Sequence, residues 1–178
     1  MIFVAGIHGA GKTTFCLELS NILGVPHFSA SGLIKIWRKK NSWANDKLVN
    51  QIDENQEALL CSVKELNKIN PLIILDGHFV LLNSSKEIVC VEQKIFKELG
   101  IKGVILIESQ PDVVASRLQM RDETKWDINL IKKIMQEERS QAYKFSSAMG
   151  IPCLIEKGDG GSLNKDFLAS TIATWINC

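Results

Sequence analysis

The chain begins MIFVAGIHGAGKTT, and this stretch constrains the fold more than any other. Ile2-Phe3-Val4-Ala5 is a short, continuous apolar run, the pattern of a strand buried on both faces. Glycines follow at once at positions 6, 9 and 11, and a helical pattern begins at Thr13 and runs to Leu23. Glycine between a strand and a helix lets the backbone turn so that successive N–H groups point inward at an anion. Gly6-Ile7-His8-Gly9-Ala10-Gly11-Lys12-Thr13 fits the spacing G-x-x-x-x-G-K-S/T. In that pattern the loop amides and the positive end of the next helix cradle phosphate oxygens. Gly6, His8, Gly9, Ala10, Gly11, Lys12, Thr13 and Thr14 are the expected ATP contacts. Lys12 reaches the β- and γ-phosphates, and the Thr13 hydroxyl completes the shell of a Mg²⁺ ion. His8 either hydrogen-bonds near the phosphates or fills an unconstrained loop position.

Apolar runs and helical patterns alternate along the rest of the chain. Residues 25–28 read as a short second strand, 31–40 as a short helix, 41–46 as a polar turn and 48–69 as a long helical pattern. Leu72, Ile73, Ile74 and Leu75 read as a doubly buried strand ending in Asp76-Gly77. Residues 87–91 are a brief extended segment, and 92–99 a helix capped by Gly100. Residues 104–107 form another buried strand, after which Ser109 and Asp112 stand at capping-box spacing. Asp127 caps a long helix that runs to Met149 and stops at Gly150. Residues 153–155 are a last strand, 158–161 a turn and 163–176 a final helix. The expected fold is α/β: three α/β/α layers around a mainly parallel sheet of five strands. All 178 residues are expected to form one domain, with an acceptor-binding arm at about 29–70 and a lid at about 117–127.

A net charge of +1 gives no electrostatic case for nucleic acid or an anionic membrane surface. No apolar stretch approaches the length of a membrane span. The five cysteines are scattered and never spaced as CxxC. They read as free thiols of a reducing cytosol, three or four of them filling the core as small hydrophobes. The expected location is therefore the cytoplasm. Monomer and homodimer stay open.

A phosphate loop needs an acid to place Mg²⁺ or its water. Asp76 ends a buried strand, so it emerges at the carboxyl edge of the sheet, where ligands bind in such folds. Asp76 is the expected partner of Thr13 at the metal, with Glu108, at the end of the next strand, in reserve. His78 either touches the acceptor or caps its loop. Arg117, Arg121 and Lys125 stand at i, i+4 and i+8, one basic stripe if the segment is helical. They serve the transition state of phosphoryl transfer, or they form a solvated face paired with Asp122, Glu123 and Asp127. Arg139 joins them from the next helix, or pairs with Glu138 or a neighbouring acid.

With GIHGAGKT, LIILDGHFV and RLQMRDETKWD in place, the chain resembles the small P-loop nucleotide kinases, and within them the archaeal-type adenylate kinases. The resemblance covers most of the chain. It implies that Lys12 and Thr13 bind ATP and Mg²⁺, that Asp76 organises a metal water or the acceptor, and that Arg117 and Arg121 belong to a closing lid. Two stretches depart from the family. Lys35 and Arg38 fall out of register with the acceptor-arm arginine of many such kinases, and FVLLNSSKEIV does not match the Gly-Pro-rich loop after Asp-x-His. Three functions follow from these residues. The first is a nucleoside monophosphate kinase with small nucleotide substrates. The second is a P-loop kinase for another small metabolite. The third is a regulatory protein switched by ATP binding and hydrolysis.

Overall fold

The structure is a computed structural model and describes residues 1–40, 51–83, 85–123, 125–158 and 164–176. β1 (Ile2–Ala5) is its central strand. β3 (Ile74–Asp76) pairs with it on one side and β6 (Gly103–Glu108) on the other, both parallel to it. β2 (His27–Ser29) and β7 (Cys153–Lys157) complete the edges, giving the order β2-β3-β1-β6-β7 with every pair parallel. The central strands carry apolar residues on both faces because helices cover both. Ile2 and Val4 point to one side with Ile74, Ile105 and Ile107; Phe3 and Ala5 point to the other with Leu75, Val104 and Leu106.

The first face packs against α1 (Lys12–Leu23), α5 (Pro111–Asp122), the first half of α6 (Ile128–Met149) and α7 (Lys165–Ile176). The second face packs against α2 (Ala30–Lys40), α3 (Gln51–Ile69), α4 (Gln93–Glu98) and the second half of α6. Phe3, Phe79, Phe96 and Phe145 form an aromatic knot there, with ring centroids 4.5–5.7 Å apart. The expected three layers and five parallel strands are the observed ones.

Local signals acted as read at several helix ends. Asp127 accepts a hydrogen bond from the Asn129 amide at the start of α6, and Gly150 closes the helix in the left-handed conformation. Others did not. The expected capping box at Ser109 is absent: α5 starts at Pro111 with Gln110 as N-cap and no side-chain cap. Proline at the first helical position replaces it, since its missing donor has no partner there in any case. A small antiparallel hairpin, β4 (Val80–Leu82) with β5 (Ile88–Cys90), also went unread on its first strand. Three residues next to a two-sided strand carry too little alternation to show. Cys16 is the one fully buried thiol among the four described; Cys61 and Cys153 are half-buried and Cys90 is exposed. The expectation of three or four core cysteines is therefore corrected, and Cys178 lies outside the described residues.

Candidate active site

β1 ends at Ala5, and residues 6–11 turn directly into α1. Gly11 is the N-cap of that helix at φ 98, a left-handed conformation that costs an L side chain and not glycine. Lys12, the first helical residue, folds back over the loop. Its Nζ donates to the carbonyl of Gly6 at 2.7 Å and of Ile7 at 3.0 Å, and the side chain is buried. Those carbonyls hold the ammonium where phosphate oxygens would replace them.

Two distant pieces of chain close on this loop. Gly158, just past β7, approaches so near that a Cβ there would lie 1.7 Å from the Ala10 carbonyl oxygen. Arg117 on α5 locks the pair together: Nη1 donates to the Gly9 carbonyl at 3.1 Å and to Ser109 Oγ at 3.3 Å, and Nη2 to the Gly158 carbonyl at 3.0 Å. Arg117 here braces the loop.

The loop opens on a cleft of about 490 Å³. His8, Gly9, Gly11, Lys12, Thr13 and Thr14 line its phosphate end, with Arg117, Arg121 and Gly158. Ser29 at the end of β2, Ser31 on α2, Asp76 at the end of β3 and His78 just beyond it complete the lining. Of the residues read from the sequence, Gly6 and Ala10 are not lining; both are buried behind the loop. Asp76 is the last residue of β3, as its position after the apolar run required, and is 8% exposed. Its Oδ2 lies 2.6 Å from His27 Nε2, a partner that no spacing in the sequence announced.

The two cleft histidines stack, with centroids 4.0 Å apart and planes tilted by 43°. Burial, then the charges of Lys12 and Arg121, pushes the His8 pKa down to about 4. Burial, then Lys12 and His8, holds His78 well below the usual imidazole range. Both rings are neutral near pH 7, so the cations lining the cleft are Lys12, Arg117 and Arg121.

The expected basic stripe is broken. Glu123, at φ 53, caps α5 at Asp122, so Lys125 lies beyond the helix. Arg121 lines the cleft and also makes two bonds to Asp122, at 2.6 and 2.9 Å. Arg139 does not join it; its guanidinium clamps Glu108 in a bidentate pair, which removes the reserve acid. The segment 117–127 is thus the last turns of α5 and the link to α6, Thr124 lying outside the described residues.

Glu138, expected only as an alternative partner of Arg139, instead faces inward, a buried role that the sequence reading missed. It is 1% exposed, and its carboxylate accepts from the amides of Gly6 at 2.9 Å, Phe79 at 3.0 Å and Val80 at 2.8 Å. One side chain on α6 thereby joins the start of the phosphate loop to the segment after Asp76-Gly77-His78. Burial raises its pKa, and the three backbone donors and Lys12 oppose that rise. A signal existed: Ile131, Ile134, Glu138, Ala142 and Phe145 share the buried stripe of α6, so the glutamate sits where an apolar residue is due.

Thr13 and Asp76 place a hydroxyl and a carboxylate on one cleft, the hard oxygen donors that suit Mg²⁺. Phosphate loop, edge carboxylate and parallel sheet together define a P-loop fold. A family model described as AAA domain (AAA_17) matches residues 5–143, and the chain belongs to that family. Among solved structures it is similar to a shikimate kinase from Acinetobacter baumannii in complex with shikimate, at TM-score 0.56 and 15% identity over 99% of this chain and 92% of that one. It is also similar to a gluconokinase from Sinorhizobium meliloti, at TM-score 0.51 and 12% identity over 99% and 90%. A third is the YorR protein of Bacillus subtilis in complex with phosphorylated GDP, at TM-score 0.55 and 17% identity over 99% and 96%. At such identities the likeness is one of fold, and it does not single out adenylate kinase. No curated protein matches at the sequence level. Among the described residues, no helix is long and apolar enough to cross a membrane.

Two outcomes follow from this geometry. Glu138→Gln puts an amide N–H₂ against a backbone donor and leaves it unsatisfied; stability is expected to fall by about 1–3 kcal/mol. A urea-unfolding difference below about 0.5 kcal/mol, the scale of a surface change, contradicts the tie. Burial lowers the Lys12 pKa from 10.5 to about 8. Above that pH the free protein loses the ammonium that phosphates need, so ATP affinity is expected to weaken toward tenfold per pH unit. In the same window the unfolded chain holds the extra proton, so stability rises with pH. Lys12→Arg keeps its charge and is expected to flatten the affinity profile. A flat wild-type profile from pH 7 to 9.5 by calorimetry contradicts it.

Proposed function

We propose that this protein is an ATP- and Mg²⁺-dependent phosphotransferase whose acceptor is a hydroxyl group of a small polar metabolite. The observation that carries the proposal is the single cleft shared by Lys12, Thr13, Asp76 and Arg121. The loop amides and Lys12 bind the β- and γ-phosphates. Thr13 and Asp76 would hold Mg²⁺, which would supply charge neutralisation at those phosphates. The acceptor oxygen bonds to the γ-phosphorus while the bond to the β–γ bridging oxygen breaks, and the hydroxyl proton leaves toward Asp76. Arg121 stabilises the negative equatorial oxygens, and Arg117 keeps the loop in shape.

The acceptor end favours a hydroxyl. Its described lining is Ser29, Ser31, Asp76 and His78: two hydroxyls, a carboxylate and a neutral imidazole. α2 contributes no cation to the cleft, and Arg38 on it pairs with Glu54 at 3.0 Å. A phosphate dianion on the acceptor would need cations there, whereas a sugar-like or hydroxy-acid alcohol needs hydrogen-bond partners. The fold neighbours named shikimate kinase and gluconokinase accord with this reading. A nucleoside monophosphate is the second reading, in an adenylate-type kinase. It is favoured by Arg121, whose guanidinium lines the cleft and can offer two parallel donors to a phosphate.

The test is product analysis with γ-labelled ATP, Mg²⁺ and a panel of polyols, hydroxy acids and nucleoside monophosphates. Label is expected on one hydroxyl metabolite. Label on a monophosphate establishes the second reading. Label released only as inorganic phosphate, at a rate indifferent to the panel, overturns transfer in favour of an ATP-driven switch. Arg121→Ala is expected to slow transfer by about 10²–10³ with little change in ATP affinity; an unchanged rate returns Arg121 to the solvated face.

A further inference from the structure

Cys16 lies on the buried face of α1, with no exposed surface. Part of its environment is the apolar cluster on that face of the sheet, the ordinary place for a small hydrophobe. Its sulfur has other neighbours. Cys16 Sγ, a His27 ring nitrogen and a carboxylate oxygen of Asp76 all lie within 4.8 Å of one another. They come from three elements: α1, and the neighbouring strands β2 and β3, on which His27 pairs in register with Ile74, two residues before Asp76. His27 and Asp76 are already in contact at 2.6 Å.

We infer that Cys16, His27 and Asp76 form a three-ligand site for a zinc-class transition-metal ion beside the cleft. Sulfur, imidazole nitrogen and carboxylate oxygen are the donor set of zinc centres, and three protein ligands with a fourth position left to water is the pattern of an accessible one. Metal–ligand bonds of about 2.0–2.3 Å place tetrahedral donors roughly 3.3–3.8 Å apart. The His27–Asp76 contact therefore opens and the sulfur draws in, both by about an ångström. Binding releases the Cys16 thiol proton to solvent, and thiolate and carboxylate then balance the two charges of the ion. Asp76 lines the cleft, which supplies the path in. The site selects a different ion from the Thr13–Asp76 pair, because Mg²⁺ takes hard oxygen donors and leaves thiolate and imidazole to softer metals. Asp76 belongs to both sets, so the two ions compete for one carboxylate.

Cobalt(II) reports such a site without any turnover, so the result is independent of the proposed transferase activity. The full chain, free of ATP, is titrated with Co²⁺ and followed by absorption. One equivalent is expected to bind with a sulfur-to-metal charge-transfer band in the near ultraviolet, and Zn²⁺ is expected to bleach it. Cys16→Ser is expected to lose the band, while Cys90→Ser, which alters the exposed thiol, keeps it. No band in the wild type, or a band that survives Cys16→Ser, overturns the site. His27→Gln leaves the buried thiol in place and serves if Cys16→Ser fails to fold, as judged by circular dichroism. It is expected to weaken Co²⁺ binding at least tenfold, and unchanged affinity overturns the site equally.

Discussion

A carboxylate buried in the middle of the protein holds the active end together. Glu138 accepts from Gly6, Phe79 and Val80, so the first residue of the phosphate loop and the segment following Asp76 are bound to the same two oxygens. An ionised group with 1% exposure is costly unless it is saturated with donors. Here the donors are three backbone amides, one just after β1 and two at the start of β4. The carboxylate thus satisfies three buried N–H groups while tying the glycine-rich loop to the segment that follows Asp76. Lys12 stands close enough to influence its charge, so the buried ionic centre extends to the first residue of α1.

Around that centre the cleft divides its labour by charge. Lys12, Arg117 and Arg121 line it from α1 and α5, and serine hydroxyls, Asp76 and a neutral imidazole line it from the neighbourhood of β2 and β3. Two histidines in contact, both pushed toward neutrality, add hydrogen-bonding capacity without adding positive charge. Arg117 and Arg121 look equivalent in sequence, four residues apart on one helix. The fold separates them: one guanidinium is spent on the carbonyls of Gly9 and Gly158, and the other sits half-exposed beside Asp122. Such a division suits a site in which one arginine maintains the loop and another meets charge that develops during reaction.

Legibility followed range. GIHGAGKT was readable because its glycine spacing between an apolar run and a helical pattern is a local signal. Asp76 was readable because a strand end has a known place in a parallel sheet. Strand β4 and the end of α5 were not, since a three-residue strand and a left-handed Glu123 leave little trace in a pattern. Glu138 left a trace, an acid on an apolar stripe, but its partners lie 132 and 59 residues away.

The sequence by itself determined the α/β class, the glycine-rich turn from β1 into α1 and the place of Asp76 at a strand end. These rest on backbone conformation, burial pattern and strand position, all local properties. Only the tertiary structure decided which charged groups meet. It set His27 on Asp76, Arg139 on Glu108 and Arg117 across the loop, and it brought Cys16 to a carboxylate. Each of these pairings depends on which strands lie side by side in the order β2-β3-β1-β6-β7. That order is a property of how two apolar faces are covered by helices, and no short window of sequence contains it.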